Sequence, residues 1–150
     1  MEVGNMKIPM KVDYGVRALV ELAMNYGEGQ LQTSEIAAKQ GIPEAYLEQL
    51  MTTLNKFGFV RSRRGPQGGH ILALDPSEIN LSMVMTTLEG NTSPLDCFTY
   101  PSDCKFADSC AQQEVWKSVE ESIKNVLSNT TLAHLAQRQS HLVGQGTYQI

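Results

Sequence analysis

Apolar residues recur every three or four positions near the start of the chain, and this spacing predicts an amphipathic helix over residues 13–26. Gly27 and Gly29 follow the apolar stripe and predict where the helix ends. A second, shorter helix is predicted from Thr33, whose hydroxyl suits an N-cap, to Gly41, a common C-terminal stop. The stripe of the first helix consists of Val16, Leu19, Val20, Ala23 and Met24.

A third helix is predicted directly after the second. Pro43 suits its first turn, because the N–H that proline lacks would have no helical partner there. The helix is expected to end near Asn55 or Lys56. Two helices separated by a tight turn at residues 40–42 predict a helix-turn-helix. The apolar positions of the third helix are Leu47, Leu50, Met51 and Leu54.

Two segments with strand character follow, at residues 57–62 and 70–74, and the glycine-rich residues 64–69 between them predict a turn. A hairpin directly after a helix-turn-helix predicts a wing. The predicted fold is therefore mainly α with a small β-hairpin, a winged helix-turn-helix. A glycine-rich loop that binds nucleotide phosphates is the competing interpretation, but such a loop needs a helix after it, and here a strand follows.

Helical spacing returns in the second half of the chain. Residues 81–88 predict a short helix closed by Gly90, and residues 115–127 predict a longer one. Residues 131–136 predict a last short helix. We expect the segment from Ser140 onward to form a mobile tail.

The long helix carries an apolar stripe of its own, which needs a cover. In a chain of this size we expect the same helix of a second copy to cover it across a two-fold axis, which predicts a homodimer. The alternative is that the helix folds back onto its own domain. The predicted organisation is a DNA-binding winged helix-turn-helix domain over residues 10–76, a cysteine loop and dimerisation helices over 77–139, and a flexible tail over 140–150.

Composition adds the class of protein. The chain has 150 residues, of which 41% are hydrophobic, and no apolar run approaches the roughly 20 residues that a membrane-spanning helix needs. The first residues lack the basic and apolar regions of a secretory signal, so a cytoplasmic location with reduced thiols is expected. No pair of catalytic groups stands at useful spacing, so we expect neither an enzyme nor a small-molecule substrate.

Charge is unevenly distributed along the chain, whose formal net charge is −4. Residues 1–74 hold eight Lys or Arg and seven Asp or Glu, whereas residues 75–150 hold four and nine. Four basic residues of the first half fall within nine positions and suit contact with DNA phosphates, although a solvated surface cluster is the alternative. They are Lys56, Arg61, Arg63 and Arg64.

The polar face of the third helix is the candidate for base recognition, with an ordinary amphipathic surface helix as the alternative. A glutamine side chain can read adenine, a glutamate can accept from the cytosine amine, and a lysine can neutralise a phosphate. At the wing, glycines allow close approach to the sugar–phosphate backbone, and Arg64 can enter a minor groove or contact a phosphate. The helix face consists of Ala45, Gln49, Thr52 and Lys56, flanked by Tyr46, Glu48 and Thr53.

The chain has three cysteines, and all of them fall within fourteen residues, at Cys97, Cys104 and Cys110. An odd number of cysteines cannot all pair as disulfides within one chain. Three thiolates are one ligand short of a tetrahedral metal site or an iron–sulfur site. A zinc site, an electron carrier and a metal-free thiol sensor remain as alternatives.

Three motifs in one order carry a specific resemblance. They are residues 41–50, Gly-Ile-Pro-Glu-Ala-Tyr-Leu-Glu-Gln-Leu; residues 64–69, Arg-Gly-Pro-Gln-Gly-Gly; and the cysteine triplet after Leu-Glu-Gly at 88–90. With these motifs the chain resembles the Rrf2 family of bacterial winged-helix regulators, in particular its iron–sulfur cluster regulator branch. The similarity extends from about Met10 to about Gln139.

The resemblance implies a homodimeric transcription factor that binds a double-stranded DNA operator. It implies that Cys97, Cys104 and Cys110 hold an iron–sulfur cluster, commonly of the [2Fe–2S] type. Because the cysteine loop joins the helix after the wing domain to the dimer helix, we hypothesise that gain, loss or redox change of the cluster alters operator affinity. The same match makes Glu48 and Gln49 base-reading candidates and Arg64 the wing arginine. The remaining expected DNA contacts are Ala45, Tyr46, Thr52, Lys56, Gly65, Pro66, Gln67 and Gly68.

Two positions depart from the pattern of that branch. Gln113 stands where those regulators place a histidine as the fourth ligand, and an amide is a poor ligand for ferric iron. Ala45 stands where that branch often has a serine that can contact DNA. The fourth ligand stays open: the candidates are Asp103, Asp108, Glu114, a residue of the partner subunit or a small molecule, with His134 and His141 expected to be surface histidines.

Overall fold

The computed structural model describes residues 8–90, 105–106 and 109–148. Within them, helices dominate and one two-stranded antiparallel sheet is present, as the sequence predicts. None of the helices in these ranges is both long and apolar enough to span a membrane. The elements are α1 (Met10–Met24), α2 (Thr33–Gln40), α3 (Glu44–Lys56), β1 (Val60–Arg63), β2 (Gly69–Leu72), a 3-10 helix (Pro76–Glu78), α4 (Leu81–Glu89), α5 (Ala111–Ser128) and α6 (Leu132–Tyr148).

Helix α1 lies at the centre of the fold and packs against α2, α3, α4, α6 and β2. Its residues Ala18 and Leu19 are fully buried. Gly15 permits the close approach of α1 to α4, because a Cβ atom there would come within 2.7 Å of the Cδ1 atom of Leu88. The helix begins at Met10, three residues before the predicted start.

The helix-turn-helix forms as predicted. Gly41 ends α2 in the left-handed conformation, with φ 64° and ψ 35°, and the Ile42 N–H donates to the Ala37 carbonyl oxygen at 3.0 Å. Helix α3 starts directly after Pro43 and ends at Lys56. Its four predicted apolar positions are all buried, so α3 is held against the core by one face and presents the opposite face to solvent.

The predicted capping role of Thr33 is wrong. Thr33 is the first residue of α2, the N-cap position belongs to Gln32, and no side chain there accepts a capping hydrogen bond. The Thr33 hydroxyl instead hydrogen-bonds the Nε2 atom of His70 at 2.7 Å. His70, on a distant strand, thus binds the hydroxyl that the local sequence predicts as a helix cap.

The wing is a hairpin of two four-residue strands, in which Val60 pairs with Leu72 and Arg63 pairs with Gly69. Both strands are shorter than predicted. Strand β1 starts only at Val60, because Gly58, with φ 84°, places the preceding residues in a turn. Leu31 extends the sheet by one residue: its N–H donates to the His70 carbonyl oxygen at 3.0 Å, and the His70 N–H donates back at 2.7 Å. The wing is thereby tied to the segment between α1 and α2.

Helix α4 is as predicted, with Val84 and Leu88 buried and Gly90 at its C-terminal end. The Asn80 side chain caps its start by accepting from the Met83 N–H at 2.9 Å.

The last helix is longer than predicted. Helix α6 continues through residues 140–148, where the sequence predicts a tail, and Gly144 and Gly146 do not stop it. Each interior glycine costs a helix only about 1 kcal/mol relative to alanine, and α6 is anchored at its start, where Leu132 and Ala136 are buried in the main core. The predicted DNA-binding domain (residues 10–76, here called the head) and the C-terminal region therefore share one hydrophobic core.

Helix α5 differs from every other long helix that the structure describes, because none of its eighteen residues is buried. Val115 is 60% exposed and Val126 is 66% exposed, and Trp116 and Ile123 are also among the exposed apolar side chains. The stripe predicted from the sequence is present on the helix, and the chain's own described residues do not cover it.

Candidate DNA-binding surface and cysteine site

A groove with a volume of about 770 Å³ lies between α3 and the wing. The start of α2 closes one end of the groove, α3 forms one wall, and the hairpin forms the other. Predicted DNA-contact residues from two separate motifs meet here. They are Glu48 and Thr52 from α3, and Arg64, Gly65, Pro66 and Gly68 from the wing.

The exposed face of α3 carries the other predicted contacts. Ala45, Gln49 and Lys56 are exposed on it but lie outside the lining of the groove. Thr52 donates its hydroxyl hydrogen bond to the Glu48 carbonyl oxygen at 2.9 Å, which leaves the Glu48 carboxylate free to accept from a ligand. This face thus offers amide, carboxylate and ammonium groups to a molecule lying along the helix.

Tyr46 is placed differently from its neighbours. Its side chain is half-buried against the core, and its ring meets the ring of Tyr14 edge to face, with centroids 5.8 Å apart. Packing of this kind fixes the orientation of α3 on α1.

The turn of the wing is tight and exposed. Gly65 has φ 109°, and the Gly68 N–H donates to the Gly65 carbonyl oxygen at 2.9 Å. Gly68 also lies so close to the preceding strand that a Cβ atom would come within 2.1 Å of the Arg63 carbonyl oxygen. Glycine at these two positions lets the hairpin present Arg64 and Pro66 at its tip, and Gln67 is exposed beside them.

The basic residues of the wing are exposed and unpaired. Within the part of the chain that the structure describes, none of Arg61, Arg63 and Arg64 forms an ion pair with an acidic side chain. Lys56 is likewise without a carboxylate partner there, and its Nζ atom lies 5.9 Å from the ring centre of Phe57. Two cations in the lining of the groove, Arg63 and Arg64, with Lys56 and Arg61 exposed outside it, suit a polyanion.

The groove also contains a group that the sequence does not predict as functional, namely the His70 side chain with its two hydroxyl partners. The Nε2 atom lies 2.7 Å from the Thr33 hydroxyl, and the Nδ1 atom lies 2.7 Å from the Ser62 hydroxyl. Burial lowers the pKa of the His70 imidazole below its ordinary value, while the Glu48 carboxylate across the groove acts in the opposite direction. The ring is therefore neutral near pH 7.

Of the three cysteines, the structure describes Cys110 alone, and Cys97 and Cys104 lie outside the described residues. Cys110 is a half-buried free thiol that occupies the N-cap position of α5. The open N–H groups and the dipole of a helix start favour an anionic group such as a thiolate ligand. This surrounding fits a metal or cluster ligand. The described residues contain no group of three His, Cys, Asp or Glu that could hold a metal by themselves.

The candidates for a fourth ligand are dispersed. Gln113 lies one turn after Cys110 and is half-buried, whereas Glu114 is exposed. His134 and His141 are exposed on α6, in agreement with the prediction that they are surface histidines. Asp103 and Asp108 lie outside the described residues.

Comparison with known proteins places the whole assembly of elements in one group. Residues 8–138 match the family model described as "Rrf2: Iron-dependent Transcriptional regulator". The chain is 36% identical over 138 residues to the HTH-type transcriptional regulator IscR of Serratia proteamaculans, covering 92% of this chain and 84% of that protein. It is also 36% identical over 131 residues to the HTH-type transcriptional regulator CymR of Bacillus subtilis, covering 87% of this chain and 90% of that one. These relatives are named as regulators, not as enzymes.

Solved structures agree with the sequence relatives. The structure of CymR, titled the global cysteine regulator of B. subtilis, superposes with a TM-score of 0.78 at 34% identity, covering 89% of this chain and 98% of that chain. The structure of T. potens IscR superposes with a TM-score of 0.76 at 38% identity, covering 92% and 91%. The likeness spans the helix-turn-helix, the wing and the C-terminal helices. The similar structures include regulators of two names, IscR and CymR.

Proposed function

The chain belongs to the Rrf2 family of DNA-binding transcriptional regulators, and from that premise we propose that it acts as a cytoplasmic homodimer whose operator affinity is set by an iron–sulfur cluster. The cluster, most simply of the [2Fe–2S] type, is held by Cys97, Cys104 and Cys110. The fourth ligand is not a histidine at position 113, where this chain has glutamine.

One observation carries the DNA-binding part of this proposal. Glu48 and Thr52 of α3 and Arg63 and Arg64 of the wing line the same groove, although they are separate in sequence, and the rest of the exposed face of α3 continues beside it. A duplex that lies along α3 meets Glu48 and Gln49 as base readers, and its phosphates meet Lys56 and Arg64. The alternating carboxylate and cations give the surface a preference for DNA sequence as well as for charge.

Support for the dimer comes from α5. Four of its apolar side chains are exposed, namely Val115, Trp116, Ile123 and Val126, and Val119 and Leu127 are half-buried. A second copy of α5, related by a two-fold axis, covers this stripe with residues of the same kind. The two α3 helices of such a dimer address half-sites about 34 Å apart, or a multiple of that distance.

The cluster is coupled to DNA binding through the position of Cys110. This residue begins α5, the proposed dimer helix, while α4 at the other end of the cysteine segment packs on α1 of the head. When bound, the cluster supplies an anionic, redox-active group that crosslinks its thiolate ligands. Holding Cys110 at a fixed distance from the other two cysteines restrains α5 relative to the head, which is a two-state element biased by a ligand.

Anaerobic purification tests the cofactor directly. We expect a coloured protein with charge-transfer absorption, an EPR signal on reduction, and iron and acid-labile sulfide in equal amounts. Selection of duplexes from a random-sequence pool by the same sample tests operator recognition. A colourless protein with bound zinc would support the zinc-stabilised alternative and contradict the cluster.

A metal-free thiol regulator is the second candidate. It is favoured by the similarity to B. subtilis CymR, which is titled a cysteine regulator, and by the free thiol of Cys110 at a helix start. Such a regulator forms a sulfenate or a disulfide on oxidation. Intact mass after mild peroxide separates the candidates: an added oxygen or a lost pair of hydrogens in metal-free protein, with a matching change in DNA affinity, supports the thiol regulator.

A further inference from the structure

The wing touches the helix-turn-helix through one polar side chain that belongs to neither predicted DNA-binding motif. His70 lies on β2, and its imidazole reaches in two directions. Its Nε2 atom meets the hydroxyl of Thr33 on α2, and its Nδ1 atom meets the hydroxyl of Ser62 on β1, both at 2.7 Å. The ring therefore joins α2 to both strands of the hairpin.

The backbone alone holds this junction at one point. Leu31 and His70 exchange two hydrogen bonds, and beyond this bridge no further residue pair extends the sheet toward α2 within the described residues. Val60 and Leu72 bury one end of the hairpin in the core, whereas the distal part, with the Ser62–His70 and Arg63–Gly69 pairs, has this single bridge to the segment before α2. The imidazole adds a second point of attachment, because Thr33 stands two residues beyond Leu31 along the chain.

The position of this junction matters because the tip of the hairpin carries the wing arginine. Arg64 lies two residues after Ser62 and faces the wall of the groove that Glu48 and Thr52 form. A tilt of this distal part would change the distance between Arg64 and α3. The width of the groove, and hence the register of wing and helix on a duplex, therefore depends on what holds the distal part of the hairpin.

We propose that His70 is a positioning residue for DNA binding: by joining Thr33 to Ser62 it fixes the wing on α2 and so sets where Arg64 stands relative to α3. The proposal rests on the proposed DNA-binding function. It assigns to His70 no direct contact with a base or a phosphate.

The chemistry of the three groups suits a permanent tie. Each hydroxyl can donate or accept, so both ring nitrogens are satisfied in either neutral tautomer. The charged side chains that line the groove around the ring are Glu44 and Glu48 on α3 and Arg63 and Arg64 on the wing, and α2 contributes only uncharged groups there. Burial lowers the pKa of the imidazole, so the tie adds no positive charge to the phosphate-facing surface near pH 7.

Two amide substitutions separate the two hydrogen bonds. In His70→Gln the amide reaches the place of Nε2 and keeps the bond to Thr33, whereas in His70→Asn it reaches the place of Nδ1 and keeps only the bond to Ser62. Each variant is combined with Arg64→Ala, and affinity is measured with a fluorescent duplex that the wild-type protein has selected from a random-sequence pool. The loss caused by Arg64→Ala in each background reports whether the wing is in place.

In the wild-type and His70→Gln backgrounds we expect Arg64→Ala to weaken binding on the order of tenfold. In the His70→Asn background the loss should fall to less than about twofold, because an untied wing no longer brings Arg64 to its contact. The matched pair Thr33→Val and Ser62→Ala repeats the test with the imidazole present. Thr33→Val should behave like His70→Asn, and Ser62→Ala like His70→Gln.

The proposal is overturned if Arg64→Ala causes the same loss in all backgrounds while circular dichroism shows each protein folded. If His70→Asn does not fold, the Thr33→Val and Ser62→Ala pair decides. A wild-type protein that selects no duplex would instead contradict the proposed function, and the two failures are thus distinguishable.

Discussion

Helices α5 and α6 follow one another in the chain and are similar in length, eighteen and seventeen residues, yet the fold covers them differently. Helix α6 packs along α1 and buries Leu132 and Ala136 in the core that the head also uses. Helix α5 buries nothing and carries Cys110 at its start. Helix α6 completes its packing within one chain, whereas α5 keeps an exposed apolar stripe, which in the proposed function a second chain and a cofactor complete.

This contrast has a physical consequence for function. The groove between α3 and the wing is built on the packed part, so its shape is preformed and its contacts are set by the core. The proposed sensor is built on the uncovered part, where few contacts within one chain oppose a change of position. In the proposed mechanism, each DNA-binding domain keeps its shape, and the spacing between the two DNA-binding domains of the dimer changes.

The largest effect is expected at the uncovered helix. Ile123→Asp places a carboxylate in the centre of the proposed α5 interface, and we expect it to weaken dimerisation by roughly 3–5 kcal/mol, because the charge would be buried without a partner. Sedimentation velocity should show a monomer. The control Asn125→Asp adds the same group on the opposite face of α5 and should leave a dimer; a dimeric Ile123→Asp protein would show that α5 is not the interface.

The packed helix should respond in the opposite way. Leu132→Ala removes a fully buried side chain, and we expect a loss of about 2–5 kcal/mol in the free energy of unfolding, measured with urea. Leu142→Ala on the same helix, at a side chain that is 44% exposed, should cost less than about 0.5 kcal/mol. Equal and small losses would break the comparison, because α6 would then lie outside the common core.

On the proposed DNA-binding surface, the basic side chains and the base-reading side chains should have different roles. Replacing Arg64 or Lys56 with alanine should weaken all duplexes alike by about 1–3 kcal/mol and reduce the salt dependence of binding. Replacing Glu48 or Gln49 should change which sequences a random pool yields. Arg138→Ala, on α6 and away from the groove, is the control. A uniform loss from both kinds of variant, without a change in preferred sequence, would contradict this division.

The smallest effect is a dependence of stability on pH. Because the folded-state pKa of His70 is lowered, the unfolded chain takes up a proton first, near pH 6.5. Stability from this group is therefore complete above pH 6.5 and declines as the pH falls toward the folded-state value. Urea unfolding between pH 7.5 and 5.5, roughly one unit to either side of a model histidine, should show this decline in wild type and a flatter profile in His70→Gln.

The pKa of Asp75 is also lowered, but its effect on stability falls outside the pH range of the urea experiment. Hydrogen bonds from the Ser77 hydroxyl and the Ser77 N–H lower the pKa of its carboxyl, so any stability linked to it is lost only in more acidic solution, below its ordinary value of 3.8. A decline in His70→Gln as steep as that of the wild type between the two test pH values would contradict the assignment to His70.

Much of the packed part can be predicted from the sequence, because its signals are local or periodic. The buried stripe of α3 follows from spacing, and the end of α2 follows from a glycine that adopts the left-handed conformation. The wing follows from its glycine turn, where both Gly65 and Gly68 meet a backbone constraint.

The rest depends on contacts between distant segments. Thr33 suits a helix cap by its type, but His70, thirty-seven residues away, binds its hydroxyl. The continuation of α6 past Gly144 depends on packing at its start, which no local propensity includes. The sequence contains one signal of the contact between the wing and α2. A histidine follows the wing glycines, and a serine stands opposite it in the hairpin register.

Which residues hold the cluster in the cysteine site remains a prediction. The sequence places Gln113 where a histidine ligand is expected, and the structure puts that amide one turn after Cys110 on α5. Because the apolar stripe of α5 is exposed in the described chain, a partner subunit could pack there, and a ligand from that subunit is compatible with this arrangement. The amide makes a labile fourth position the expected difference from histidine-ligated relatives.

The central claim is that the cluster changes the affinity of the dimer for its operator. The most direct test measures, under anaerobic conditions and at one salt concentration, the Kd of cluster-loaded and chelator-treated dimers for the duplex that the loaded protein selects. We predict that the two Kd values differ by at least about fivefold, the lower end of typical allosteric coupling. Equal Kd values on every selected duplex, with the cluster verified in one sample and absent from the other, would contradict the account.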